Sequence, residues 1–455
     1  MNPEENTYFN KYREAAPLAV FRIFFGFLMF LSIVRFMGLG WVDKLYIQPK
    51  FFFSYYGFEW VKPIGIYTYL IFVFCGLSAL AVAFGYKYRL AIISFFLSFT
   101  YIELMDKTTY LNHYYFISLM AFVMIFLPAN AYYSIDAKHR GNIAYQKVPA
   151  WTIDIVKVLL GIVYFYAGLA KLNSDWLLHA LPLKIWLPSK YNIPVIGSFL
   201  EQEWVHYAFS WIGAFYDLLI PFLLLFKRTR LFAFALVVIF HVLTRVMFPI
   251  GMFPFIMIFS TLIFFSDRWH HRFLSIISKY LKVSKSYFDN GKKLVMSRIP
   301  YVRFKLRLLM LFLIIQLLFP FRYLLYPGEL FWTEEGFRFS WRVMLMEKAG
   351  YANFIITDPN TKKSYHVDNS NFLTPFQEKQ MSFQPDFILE FAHFLHDHFE
   401  EMGIDNPEVR VECYVALNGR LSQLYIDPTV NLAKEKESFA HKSWLLPFND
   451  EIKGL

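Results

Sequence analysis

The sequence predicts a polytopic α-helical membrane protein of about nine transmembrane helices with a C-terminal extramembrane α+β domain. Three observations carry that prediction. Hydrophobic residues make up 57% of the 455 and charged residues only 18%, a balance that a soluble domain of this size does not need. Apolar runs of spanning length recur between residues 17 and 326. After Tyr326-Pro-Gly the character changes: residues 327–455 hold 20 acidic against 12 basic residues and alternate like a soluble fold. The chain therefore divides into a multi-span transmembrane domain, 1–326, and an extracytoplasmic α+β domain, 327–455.

Taken in order, Met1 to Ala16 is polar and charged rather than an apolar core ahead of a small-residue cleavage site, so no removable signal peptide is expected. Nine candidate spans follow, at 17–38, 66–85, 90–105, 112–133, 151–170, 206–226, 231–247, 251–266 and 306–326. The third and eighth are short, and the eighth is interrupted by Gly251 and Pro254. They read as tilted, re-entrant or broken, which is tolerable where protein covers the exposed backbone.

Lys and Arg placement tests that count, because cytoplasmic loops hold the excess. Lys11 and Arg13, Lys87 and Arg89, Lys138, Arg140 and Lys147, and Lys227, Arg228 and Arg230 all fall on one side of the predicted path. The most basic stretch, from Arg268 to Lys305, falls on that same side, as a surface helix on anionic headgroups or a solvated loop. The C-terminal domain is then outside. In it, 338–356 and 410–417 read as strands, Asn418-Gly419 as a hairpin turn, and 385–402 as an amphipathic helix.

Several function classes find no support. Cys75 lies in an apolar run and Cys413 in a strand-like segment, so two free thiols are expected. The net charge of +10 is explained by membrane orientation, and no basic stripe with interleaved aromatics points to nucleic acid. There is no Gly-rich phosphate loop, Gly-x-Ser-x-Gly elbow or Cys-x-x-Cys pair. His393, His396 and His398 read as a solvated helix face, and no metal site is expected.

The chemistry concentrates in Tyr164-Phe-Tyr-Ala-Gly-Leu-Ala-Lys171-Leu-Asn-Ser-Asp175-Trp176, which ends an apolar helix on a lysine, an asparagine and an aspartate. An ammonium at such a boundary is pushed toward its neutral, basic form by desolvation against an apolar wall; the other reading is a snorkelling lysine that anchors the helix. His241 falls within the seventh span and Arg245 nearer its outer end, so both could line the floor of one cavity. Ionisable groups inside a span point to function, although a histidine can also simply hydrogen-bond between helices.

The segment around Lys171 resembles the corresponding part of the vitamin K-dependent γ-glutamyl carboxylase family. Further segments resemble the family in the same order: Pro17-Leu-Ala-Val-Phe-Arg22-x-x-Phe-Gly26, Asp106-Lys107-Thr-x-x-x-Asn112-His113-x-Tyr115, and Asn130-x-Tyr-x-Ser134-x-Asp136. His241, Ile250-Gly-Met-Phe253 and Gln316-Leu-x-Phe-Pro320 come next. Trp332-Thr, Ser340-Trp341-x-x-Met344 and Lys442-Ser-Trp444-x-x-Pro447 complete the set, which covers nearly the whole chain.

The resemblance implies a membrane carboxylase of the HTTM-domain type. It would couple oxidation by O2 of reduced vitamin K, a phylloquinone or menaquinone hydroquinone, to addition of CO2 at a glutamate side chain. Removing a proton from carbon beside a carboxylate needs a stronger base than any side chain, so the cofactor supplies the basicity and the protein the placement. Lys171 matches the family's catalytic base, and His113 would assist at glutamate with Asn112 as its hydrogen-bonding neighbour. Asp106, Lys107, His241, Trp332, Trp341 and Met344 match positions for quinone or substrate binding; packing is the alternative role for the aromatics.

The implied partners are membrane lipid, a lipid-tailed quinone and a glutamate-containing peptide or protein. After Met344 the chain reads Leu-Met-Glu-Lys, without the histidine and arginine that animal members place nearby, and it lacks their long further C-terminal portion. A quinone epoxidase without carboxylation and a non-enzymatic quinone- or lipid-binding protein are the alternative readings. The compact length, and an outward domain without an Asn-x-Ser/Thr sequon, favour a prokaryotic source and its cell membrane; in a eukaryote the endoplasmic reticulum would serve.

The topology is directly testable. Cysteines introduced at surface sites in 327–455 should react with an impermeant reagent from outside, and those in 268–305 only from inside; equal access from one side would overturn the nine-span path.

Overall fold

The computed structural model describes residues 8–282 and 287–454, so Lys285 of the basic stretch lies outside the described residues. Helices form in each of the nine apolar runs: Ala16–Gly38, Thr68–Phe84, Tyr88–Leu104, Asn112–Phe126, Trp151–Leu169, Glu203–Leu225, Arg230–Met247, Phe253–Thr261 and Val302–Leu318. Among the described residues, six helical stretches are long and apolar enough to cross a membrane: Ala16–Gly38, Gly65–Phe84, Trp151–Leu169, Glu203–Leu225, Arg230–Met247 and Val302–Leu325.

The other three are shortened by local chemistry. Asp106 stops the Tyr88–Leu104 helix by accepting from the Thr108 amide at 2.9 Å and opening a 3-10 turn, Lys107–Thr109. Asn112–Phe126 ends at Leu127, whose extended backbone is what a residue preceding proline prefers. Phe253–Thr261 begins after Gly251, which has a left-handed φ of +60°.

Helix packing relies on small residues and on one buried guanidinium. At Gly26 a Cβ would sit 2.4 Å from the Ala83 amide nitrogen, so glycine alone lets Ala16–Gly38 and Thr68–Phe84 touch backbone to backbone. One turn earlier, fully buried Arg22 donates to the carbonyls of Ala129 at 2.9 Å and Val82 at 3.0 Å, and also to those of Ala83 and Tyr133. It thereby satisfies the orphan carbonyls at a helix C-terminus that has no water to turn to. At the same end of the bundle, β1 (Tyr12–Glu14) pairs antiparallel with β2 (Lys147–Pro149).

In the C-terminal part a four-stranded antiparallel sheet has the order β4-β3-β5-β6, from β3 (Lys348–Thr357), β4 (Ser364–His366), β5 (Glu408–Leu417) and β6 (Gln423–Leu424). Along β5 the buried residues Val409, Val411, Cys413, Val415 and Leu417 alternate at the strand period. Helix Pro385–Glu401 lays Phe387, Ile388, Phe391 and Leu395 into the same core. Asn418 and Gly419, at φ +50° and +77°, take the left-handed conformations of a tight turn.

The strand expected from residue 338 begins only at Lys348. The reason is in the backbone: Phe339, Trp341 and Met344 have φ of +59°, +60° and +52°, left-handed conformations that no strand accommodates. Of the three helix histidines, His393 and His396 bond the carbonyls of Glu435 and Pro407 at 2.8 and 2.9 Å, while His398 packs on Phe372. Both cysteines are free and buried.

The 106–113 loop is clasped by the C-terminal part. Lys107 Nζ lies 2.9 Å from Glu390 and 3.2 Å from Asp386, and the Gln377 amide donates to Asp106 at 3.2 Å. Burial disfavours charge on both glutamate and aspartate, with opposite outcomes. Asp386, faced by Arg338 as well as Lys107, is held well below the usual carboxylate range, whereas Glu390 is pushed up to about 7.

Candidate functional site

The site is built where Trp151–Leu169 ends. Asn173 caps the following short helix, Ser174–His179, by accepting from the Trp176 amide at 2.9 Å, and its own amide donates to the Ala170 carbonyl at 2.9 Å. That tight corner turns Lys171 back along the helix it follows. Its Nζ donates to the Ala167 carbonyl at 2.9 Å and to Asp217 Oδ2 at 2.8 Å, in the interior of Glu203–Leu225. Both partners are buried, at 5% exposure each.

Gly168 makes this pairing possible. A Cβ there would lie 2.6 Å from the Leu218 amide nitrogen and 3.0 Å from the Asp217 carbonyl carbon. The glycine of the Tyr-Phe-Tyr-Ala-Gly run is thus the point at which the two helices close on one another, one turn before the lysine. On the far side of the corner Asp175 accepts both Arg420 guanidinium nitrogens at 2.8 Å and the Asn418 amide at 2.7 Å, tying the turn to the C-terminal sheet.

Lys171 and Asp217 face a cavity with about 800 Å³ of empty space, part of it open to the outside. Its wall is apolar apart from a few convergent polar groups: Lys171, Asp217, Tyr164, His241 and Thr244. Trp176, Trp186, Phe240 and Phe253 supply aromatic faces, and the Trp176 ring centroid is 5.3 Å from Lys171 Nζ. His241 Nε2 lies 2.9 Å from the Tyr164 hydroxyl, while its buried Nδ1 has no hydrogen-bond partner among the described residues. Met344 closes one side through its left-handed backbone.

Of the residues singled out in the sequence, the structure brings Lys171, His241 and Met344 together. His113 is buried in the first turn of its helix, in ring contact with Phe253 at 5.6 Å; Phe253 in turn contacts His241 at 5.5 Å. Asn112 does not serve as the expected hydrogen-bonding neighbour of His113. Its amide nitrogen donates to the Arg342 carbonyl at 2.9 Å and its oxygen accepts from Tyr110 at 3.0 Å, pinning the left-handed 339–344 segment.

Trp341, within that segment, is fully buried against Tyr115, at 5.0 Å, rather than on the cavity wall. Trp332 sits in the core of the C-terminal part, where its indole donates to the Leu446 carbonyl at 2.8 Å and packs on Tyr425. Asp106 and Lys107 are occupied in the clasp described above, and Arg245 is exposed on its helix instead of lining the cavity floor.

The sequence reading missed Asp217, whose carboxylate pairs with Lys171. A signal was present: Asp217 is the one acidic residue in the apolar run 206–226, and a carboxylate inside a span demands a partner.

Comparison with protein-family models matches residues 10–269 to the HTTM domain, more than half of the chain. Residues 301–451 match the lumenal domain of vitamin K-dependent gamma-carboxylase. No solved structure matches the chain.

The role of Gly168 yields a stability comparison. Gly168→Ala should destabilise the protein by about 1–3 kcal/mol through overpacking. Gly161→Ala, where the nearest neighbour of a new Cβ is Pro221 at 3.8 Å, should be neutral or stabilising. Thermal unfolding of both variants in detergent measures the difference, and equal midpoints would contradict the close-approach role.

Proposed function

Because the chain belongs to the vitamin K-dependent γ-glutamyl carboxylase family, we propose that it is a membrane carboxylase whose base is the Lys171–Asp217 pair. In this reading it couples oxidation of a reduced naphthoquinone by O2 to addition of CO2 at glutamate. The observation that carries the proposal is the buried 2.8 Å ion pair opening onto an aromatic-walled cavity. The shape and polarity of that cavity fit a quinone ring: flat aromatic faces to hold it and a few proton-handling groups at its edge. Its tail would follow the apolar helices into lipid.

Reduced vitamin K, when bound, supplies the basicity that no side chain has, through its oxidation by O2. The chain's own task is proton handling and exclusion of water. Transfer of the ammonium proton to Asp217 Oδ2, 2.8 Å away, leaves Lys171 Nζ as the neutral amine that takes up a proton from the cavity, and both proton positions are screened from solvent. Tyr164 and His241 form another proton-holding pair in the cavity lining, 2.9 Å apart. The aromatic lining keeps out water that would quench a strong base. His113 is assigned to the glutamate side, in contact with the cavity through Phe253, and Asn112 to positioning the 339–344 segment that carries Met344.

We place 1–326 in the membrane as nine crossings, three of them by short helices, and 327–455 as an extracytoplasmic α+β domain. The charge asymmetry of the loops supports this arrangement. One observation favours the alternative of quinone epoxidation without carboxylation. Glu347 and Lys348 stand in the run after Met344 that lacks the histidine and arginine animal members place nearby, and they are engaged by Trp186 at 2.5 Å and Glu334 at 3.0 Å.

Substitution at the pair tests the proposal. Lys171→Arg, Lys171→Ala and Asp217→Asn should each lower quinone epoxidation by at least about 100-fold, the range for loss of a general base. Small amines should partly restore Lys171→Ala. A guanidinium does not release its proton, so normal epoxidation in Lys171→Arg would overturn the assignment.

A further inference from the structure

A second large cavity lies at the other end of the bundle. The Trp151–Leu169 helix separates the two: Lys171 follows its C-terminus, and β2 leads into its N-terminus beside Tyr145, which lines the second cavity. At about 1.5 Å per residue the helix alone sets the ends roughly 28 Å apart. This second cavity holds about 1360 Å³ of empty space, part of it open to the outside.

Its chemistry is strongly one-sided. Lys87, Arg89, Arg140, Arg298 and Lys305 all line it, brought from three separate parts of the chain. None of the five forms an ion pair among the described residues. The single carboxylate in the lining, Asp136, is already spent: it accepts from the backbone amides of Lys87 and Tyr88 at 2.8 and 2.9 Å and from the Asn130 side chain at 2.9 Å.

Two of the cations are also placed against the helix dipole. Arg89 and Lys305 stand in the first turns of Tyr88–Leu104 and Val302–Leu318, each 17 residues long, where an anion is favoured and a cation is not. Positive charge needed only to orient the chain would be equally effective dispersed in water. Here it converges on one concave space and repels itself.

Much of the remaining wall is apolar. Phe126, Ile299 and Leu90 line the same space, and Leu90, although apolar, is 63% exposed on a helix in the membrane part. A basic floor bordered by an apolar edge at the ends of membrane helices suits a phosphate that carries acyl chains. We propose that this cavity is a binding site for the headgroup of an anionic phospholipid, its phosphate among the five cations and its acyl chains along Leu90 and Phe126. The proposal is independent of the chemistry at Lys171.

Native mass spectrometry of the full chain released from detergent micelles tests it, with dioleoyl phosphatidylglycerol and dioleoyl phosphatidylcholine as probes. The wild type should retain phosphatidylglycerol in preference to phosphatidylcholine, and millimolar inorganic phosphate should not displace it. Arg140→Gln/Arg298→Gln should weaken retention by about tenfold or more, from about 1 kcal/mol per basic residue. Lys87→Gln/Lys305→Gln provides a second removal of charge from the cavity, with the same expected loss. Lys227→Gln/Arg228→Gln, a basic pair outside the cavity, should leave retention unchanged. Equal retention of the two lipids, equal loss in the outside pair, or no loss in either cavity pair would overturn the proposal. Displacement by phosphate would replace the lipid with a free anion as the occupant.

Discussion

A lysine and an aspartate buried 2.8 Å apart inside a helical bundle constrain much of what surrounds them. Taking either charge out of water costs several kcal/mol, and removing one partner strands the other, so the two must be delivered together by separate helices. That requirement accounts for Gly168, the only residue type that lets Trp151–Leu169 meet the Asp217–Leu218 backbone at that distance. It accounts as well for the Asn173-capped corner, which returns Lys171 toward its own helix rather than out to a membrane surface. A snorkelling anchor needs neither feature.

The cavity is also coupled to the C-terminal part at three places. Arg420 and Asn418 hold Asp175, four residues after Lys171. Asn112 holds the Arg342 carbonyl and with it the left-handed segment carrying Met344. The Lys107 cluster fixes the loop from which Asn112 and His113 emerge. Three non-glycine residues at positive φ within six positions amount to conformational cost that only surrounding contacts can sustain. Met344, the last of the three, lines the cavity, which fits strain held for positioning. The residues that match a family pattern therefore divide between those that face the cavity and those that hold the facing residues in place.

This division sets how far the sequence could be read. The helical segments were legible because apolar runs of spanning length have few alternatives, and the third and eighth were legible as short; the fourth ends early, at Phe126, because Leu127 precedes a proline, an effect that acts residue by residue. Lys171 was legible from its motif. Asp217 was visible as a lone acid in an apolar run, but its partner lies 46 residues away and only helix packing joins them. Trp332 and Trp341 illustrate the limit of residue type in a chain that is 21% aromatic: both resemble walls for a ring, and packing puts both elsewhere. The strand expected from 338 failed because alternating hydrophobicity does not reveal left-handed backbone in residues other than glycine.

The central claim is that the Lys171 cavity drives carboxylation and not merely quinone binding. Its most direct test is incorporation of radiolabelled CO2 into a glutamate-containing peptide by the purified protein, given reduced menaquinone and O2, with quinone epoxide measured in the same reaction. The account predicts label in the peptide, accompanied by epoxide and abolished without O2. Epoxide without label would contradict the carboxylase reading, and the absence of both products would contradict the catalytic one.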